Sequence, residues 1–280
     1  MSNSTDHEPI DRAAGWIAGS SRLVVSTGAG VSRESGVPTF REAGGGFWEQ
    51  YDPQQLATVE GFLAEPKLVW EWYAYRRKMV AEVKPNPGHY ALARLGKILP
   101  GMALVTQNID GLHQRAGSSR VIELHGNINR VKCFEGDEVI EDWSDEDYQG
   151  EVPPRCPRCN SLLRPDVVWF GESLPEDKIH QAFHNAQTCD VMLVVGTSGM
   201  VQPAASLPIY ARRGGARTVE VNPNPTEISY AVDIQLRGKS GDILPVLVDK
   251  VEELIEEQAG GLKARGKVAK GQSGKGKGRL

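Results

Sequence analysis

Four short apolar runs constrain the fold of this 280-residue chain more than any other feature. They read RLVVST (22–27), MALVTQ (102–107), VMLVVGTS (191–198) and RTVEVN (217–222). Helical patterns over 56–83, 87–97, 175–187 and 243–258 alternate with them. Strands that are apolar without alternation are covered on both faces, and interleaved helices supply the cover. The pattern predicts an α/β fold built on a doubly wound parallel sheet. Each run also ends in small or polar residues: Gly28-Ala29-Gly30, then Gln107, Asn108 and Asp110, then Gly196-Thr197-Ser198, then Asn222. Ligands of open parallel sheets bind outside the carboxyl ends of the strands, so chemistry is expected along that one rim.

Between Gly126 and Pro165 the pattern breaks into an acidic, turn-rich stretch that cannot easily build a core of its own. It reads as part of an inserted small module, with the helical residues 62–94 as the other part. From Gly260 onward the chain carries seven Lys or Arg and no acid, which leaves 25 basic against 36 acidic residues elsewhere. This Gly-rich tail (260–280) is expected to be disordered. It is read as solubilising or as a loose, salt-dependent attractor of polyanions; no other nucleic-acid contact is expected. No run of about 18 apolar residues occurs, so no membrane span is predicted. The start MSNSTDHEPI has neither the basic nor the apolar part of a secretory signal. Four cysteines in a chain of this length make no disulfide scaffold, and the cytoplasm is the expected compartment.

GAGVSRESG (28–36) follows a strand and brings two glycines close together, as a turn that approaches a pyrophosphate would; an unliganded tight turn explains them equally. In TQNIDGLHQRAG (106–117), one Asx residue is explained by turn chemistry, but Gln107, Asn108 and Asp110 together exceed it. His125 directly follows a short apolar run and could serve as a base near neutral pH or simply as a packed residue. Cys156 and Cys159 form half of a zinc site, and Cys133 offers a third thiolate. Gly136 stands where the fourth would be, so Glu135, Asp137 or water would have to serve; Cys189 opens a strand and reads as core. Tyr73 and Arg76 share a helix face beside Val69, Trp70 and Trp72. Arginine prefers planar anions, so Arg76 either faces solvent or meets a carboxylate that arrives with a substrate.

Taken in order, GAGVSRESGVPTFR (28–41), TQNIDGLHQRAG (106–117), ELHGNI (123–128), CPRC (156–159), RPDVVWFGE (164–172), GTSGMVQPAA (196–205) and VNPNPT (221–226) resemble the sirtuins, NAD-dependent protein lysine deacylases. The resemblance implies a Rossmann-like NAD-binding domain over 11–61, 95–126 and 166–250. It implies a small helical and cysteine-bearing, zinc-ribbon-like module over 62–94 and 127–165, with 1–10 as an extension. It would set Gly28, Ala29 and Gly30 against the NAD phosphates, with Ser32, Phe40 and Arg41 in the same region. Gln107, Asn108, Ile109 and Asp110 would line the ribose and nicotinamide pocket. Gly196, Thr197 and Ser198 would hold phosphate or ribose, Asn222 and Asn224 the adenosine half, and Ser240 would lie near the adenine. His125 would act as general base, with Asn108 beside it. Val168, Trp169 and Phe170 would pair with an extended acyl-lysine peptide. Cys133, Cys156 and Cys159 would be the zinc ligands.

The Tyr73-x-x-Arg76 pair is similar to that of the desuccinylase and demalonylase class, and Thr39 stands where many deacetylases have Asp. The implied activity is removal of succinyl, malonyl and also acetyl groups from lysine. The products are nicotinamide and O-acyl-ADP-ribose. Mono-ADP-ribosyl transfer and non-catalytic NAD sensing are the alternatives.

Overall fold

The computed structural model describes residues 8–37, 51–52, 56–136, 138–141, 143–146 and 148–272, with side chains as far as 260. Phe40 and Arg41, together with Thr39 and Asp137, lie outside the described residues. The strands are β1 (Leu23–Thr27), β2 (Ala103–Thr106), β3 (Val121–Glu123), β4 (Gly126–Cys133), β5 (Val139–Ile140), β6 (Leu163–Val167), β7 (Val191–Val195), β8 (Arg217–Val221) and β9 (Ile234–Leu236). The helices are α1 (Glu8–Ala18), α2 (Gly30–Arg33), α3 (Val59–Ala64), α4 (Pro66–Glu82), α5 (Pro87–Ile98), α6 (Leu112–Arg115), α7 (Glu176–Thr188), α8 (Leu207–Arg213) and α9 (Ser240–Gln272).

All four apolar runs became strands, and they lie side by side. The large sheet has the order β3-β2-β1-β7-β8-β9, and every pair in it is parallel. Alternate residues feed opposite faces. Leu23, Val25, Leu104, Leu193 and Val219 pack with Ile10, Ile17, Leu92, Leu95, Leu247 and Val251 from α1, α5 and α9. Val24, Val105, Met192 and Val194 pack on the other face with Ala182, Ala186, Leu207 and Ala211 from α7 and α8. Burial on both faces explains why these strands carry no polar alternation. The chain leaves β1 toward β2 and β3, then returns past β1 to β7, β8 and β9. The order therefore reverses between β1 and β7, which is the switch point of a Rossmann-like sheet.

A second, antiparallel sheet has the order β5-β4-β6. It shares a core with α3 and α4 through Phe62, Val69, Trp72, Tyr73, Ile128, Val167 and Trp169. Arg77 of α4 reaches Asp145 with two hydrogen bonds of 2.6 and 2.9 Å, and Trp70 meets Trp143 edge-on. Helices α3 and α4 thus pack with the cysteine-bearing segment as one body, whereas α5, whose residues 87–94 the sequence reading put in the same module, packs on the large sheet.

Two further sequence expectations change. The helix expected over 56–83 is two helices, because Pro66 begins α4 at the position where its missing N–H costs nothing. The N-terminal segment is not all extension: α1 begins at Glu8 and buries Ile10, Ala13, Ala14 and Ile17 on one stripe. The last helix, α9, runs to Gln272, into the first part of the basic tail. Its Leu, Lys, Ala and Arg are good helix formers, and a helix already nucleated on the core elongates through them. No helix among the described residues is long and apolar enough to cross a membrane.

Candidate active site

The rim above β1, β2 and β7 holds most of the polar residues singled out by the sequence. The two glycine loops meet at the switch point. A Cβ on Gly30 would stand 2.6 Å from the Gly196 carbonyl oxygen, and one on Gly28 would stand 2.9 Å from Thr197 Cα. Gly196 itself has φ +61°. The Gly28 amide donates to Val195 O at 3.1 Å and the Gly30 amide to Gly196 O at 2.8 Å. These glycines therefore let the loops touch, rather than presenting their own amides to a phosphate. Among the described residues the Ala29 amide has no acceptor, so it is the donor of the three available to a pyrophosphate.

Beneath that loop lies a buried polar chain. Ser32 Oγ donates to Asp110 Oδ2 at 2.7 Å, Asn108 Nδ2 donates to Ser32 Oγ at 3.0 Å, and His89 Nε2 sits 3.4 Å from the same hydroxyl. Asp110 also accepts from the Leu112 amide at 2.9 Å, where Gly111 turns the chain with φ +69°. Burial pushes the Asp110 carboxyl up, and the Ser32 and Leu112 donors oppose that. Gln107 Nε2 donates to Thr197 Oγ1 at 3.2 Å, and Asn222 Nδ2 to Thr197 O at 2.9 Å, so the ends of β2, β7 and β8 are tied together. Ile109 packs partly against the small module's core and accepts from the Ile128 amide. Asn224 and Ser198 stand exposed at the β8 side of the rim. Ser240 caps the region from α9 by donating to Glu34 Oε1 at 2.9 Å.

His125 follows β3 and bonds through Nδ1 to the Gln107 carbonyl at 2.9 Å. A carbonyl only accepts, so Nδ1 carries the proton and Nε2 keeps its lone pair. Burial holds the imidazole below its ordinary pKa, and the Gln107 carbonyl works against that. The ring is therefore neutral at neutral pH, the state a general base needs.

Tyr73 is fully buried, and its hydroxyl accepts from Trp169 Nε1 at 3.0 Å. Burial pushes its phenol up to about 12, so it remains a proton donor. Arg76 lies 4.9 Å from the Trp72 ring centre and 6.0 Å from that of Tyr73. Burial lowers its pKa, while Tyr73 and Asp110 raise it, so Arg76 is within electrostatic reach of the nucleotide rim. The backbone donors of the 168–170 segment are already used. Val168 donates to His125 O, Trp169 to Glu172 Oε2 and Phe170 to Ala57 O. What sequence reasoning missed is the clamp behind this segment. Arg164 grips Glu172 at 2.6 and 2.8 Å and stacks 3.3 Å from the Trp169 ring centre. A bidentate pair eight residues apart leaves no periodic signal; nor does His89, whose contact with Ser32 spans 57 residues.

Cys133, Cys156 and Cys159 bring their sulfurs within 4.8 Å of one another, with 3.4 Å between Cys133 and Cys159. Tetrahedral zinc with Zn–S near 2.3 Å would space its sulfurs about 3.8 Å apart, so the trio fits three corners of such a site. The amides of Cys159 and Arg158 point at Cys156 and hold its thiol below the usual value. Cys189 is remote from them; its thiol donates to Ala186 O, and burial pushes it up to about 11, as befits a core residue.

A parallel sheet with a glycine-lined switch point, a neutral histidine beside it and a cysteine trio in an inserted module fit a dinucleotide-using enzyme. Residues 28–203 match the Sir2 family. The NAD-dependent protein deacylase 2 of Pyrobaculum aerophilum is 50% identical over 243 residues, covering 86% of this chain and 96% of its own. A Sir2 homologue solved in complex with NAD superposes with a TM-score of 0.82 at 42% identity, covering 88% of this chain and 94% of the other. Sir2Af2 bound to a myristoylated histone peptide gives 0.71 at 37% identity, over 90% and 99%. The chain belongs to the Sir2 family.

Proposed function

We propose that this chain, as an NAD-dependent protein deacylase, removes acidic acyl groups such as succinyl and malonyl from lysine, and acetyl as well. The observation that carries the acidic preference is the Tyr73–Arg76 pair on one face of α4, beside Trp169 and within electrostatic reach of Asp110. A distal acyl carboxylate would meet the Arg76 guanidinium and the Tyr73 hydroxyl proton. A charge-assisted hydrogen bond in a partly dry site contributes about 1.5–3 kcal/mol, roughly 10- to 150-fold in selectivity.

When bound, NAD would supply an electrophilic ribose carbon for the acyl oxygen, with nicotinamide as the leaving group. The chain's residues orient and move protons around that event. The Ala29 amide and the touching glycine loops suit the pyrophosphate. Asn108, held by Ser32, and Asp110, held by Ser32 and the Leu112 amide, give fixed polar partners for the ribose side. His125 Nε2 takes the proton of a ribose hydroxyl, and the imidazolium formed stays anchored through Nδ1. The bulk protein substrate is an acyl-lysine peptide, in keeping with the peptide complex of Sir2Af2.

The test is kcat/KM for succinyl and acetyl peptides with NAD, in the native protein and in Arg76→Met. We expect desuccinylation to fall about 10- to 150-fold, with deacetylation nearly unchanged. Equal losses would overturn the acyl reading. Failure of the native protein to form O-acyl-ADP-ribose from any acyl peptide would overturn the deacylase itself.

A further inference from the structure

Among the described residues, the cysteine trio has no fourth ligand at its remaining corner. Gly136 faces that corner: a Cβ built on it would lie 3.5 Å from Cys133 Sγ, in ordinary contact and without a clash. The cavity there has a volume of about 340 Å³ and is lined by Cys133, Glu135, Gly136, Cys156, Arg158 and Cys159. Glu135 is exposed, and among the described residues the three sulfurs alone converge within coordination reach of one another. Cys159 is itself exposed, so the gap opens to solvent. Arg158 lines it, sharing its charge with Glu138.

We infer that Cys133, Cys156 and Cys159 hold a zinc ion whose fourth position is an exchangeable, solvent-facing site, filled by water or hydroxide and open to a small thiolate. A structural zinc site is closed by four protein ligands, whereas three leave a position for an outside donor. Zinc accepts sulfur readily, and the Arg158 guanidinium on the cavity wall favours an anionic donor. On binding, the three thiols release their protons to solvent and the incoming thiol releases its own. The same ion would thus brace the small module and present a ligand-binding surface away from the nucleotide rim.

Cobalt(II) substitution tests this in the full chain, because sulfur-to-cobalt charge transfer in the near ultraviolet grows with the number of thiolates bound. The probe is 2-mercaptoethanol, added to the cobalt-loaded native protein and to Gly136→Cys. The native protein should bind one equivalent of metal, and its charge-transfer band should grow by about a third as a fourth thiolate joins three. Gly136→Cys should begin at the higher intensity, ignore the added thiol and yield its metal more slowly to a chelator. A native band that does not respond to thiol would mean a protein group outside the described residues closes the site, and would overturn the inference. So would metal content well below one equivalent. The native titration decides the matter even if the variant fails to fold.

Discussion

Tyr73 shows how much of a side chain's chemistry depends on a neighbour far away in sequence. Its hydroxyl has one proton and accepts the Trp169 indole N–H from 96 residues away. With that lone pair occupied, the proton is left to be donated elsewhere, and a phenol near 12 does not lose it. On the proposed acyl reading, Trp169 would be a positioning residue acting through Tyr73. Trp169→Phe keeps a ring for Arg164 to stack on, but removes the N–H together with part of the buried indole, so the comparison with Tyr73 is what isolates the hydrogen bond. Desuccinylation efficiency should fall about fivefold, the worth of one neutral hydrogen bond. In a Tyr73→Phe background the same change should cost nothing further. Measuring kcat/KM on a succinyl peptide across the four proteins decides it; additive losses would mean the indole acts by packing alone. The Tyr73–Arg76 spacing was legible as a shared helix face. The indole bond was not, because no local periodicity encodes a contact between α4 and the segment after β6.

At the scale of elements, the two glycine loops are the joint on which the nucleotide rim is built. From the sequence Gly28 and Gly30 read equally as a phosphate turn or a tight turn; in the fold they also let the β1 and β7 loops touch. Gly30→Ala drives a methyl to 2.6 Å from a backbone oxygen that cannot swing away. Urea unfolding should show a loss of about 1–3 kcal/mol, and NAD affinity should drop with it. Gly15→Ala provides the contrast: nothing lies within 4 Å of a Cβ there, in the middle of α1. That change should stabilise by about 0.5–1 kcal/mol through lower unfolded-chain entropy and better helix propensity. If both variants lose stability equally, contact between the loops is not what the rim glycines serve.

For the whole molecule, the decisive interior feature is a histidine pair between the sheet and its helices. His89 and His113 meet with ring centres 4.9 Å apart and planes tilted by 55°, and His113 Nε2 lies 2.9 Å from Thr27 Oγ1. Burial lowers His89 to about 4; burial, with a smaller push from His89, lowers His113 to about 3. Both are neutral when folded at neutral pH. Once unfolded they take protons near 6.5, so acid favours the unfolded chain. Stability is whole above about pH 6.5 and is lost as pH falls toward the folded values. Each tenfold difference in proton affinity between the folded and unfolded chain is worth about 1.4 kcal/mol, so the loss by pH 4.5 is on the order of 3–5 kcal/mol for the pair. Urea unfolding between pH 7 and 4.5 should show this slope, and it should be shallower in His113→Gln. A flat profile would remove the pair from the stability of the fold.

What the sequence determined by itself was whatever is written in neighbouring residues. The four strands followed from apolar runs without alternation, and the rim from the polar residues at their ends. The cysteine trio followed from CPRC and Cys133. Strands β3 and β9 escaped because three residues are too few for a period to register. Only the tertiary structure decided that β1 and β7 are neighbours. It also decided that Gln107 fixes the tautomer of His125, that Trp169 points at Tyr73, and that Cys133 meets Cys156 and Cys159. Each is a contact between segments tens of residues apart. Its energy arises from burial and hydrogen bonding after the sheet has assembled, when the unfolded chain's many alternative partners have been excluded.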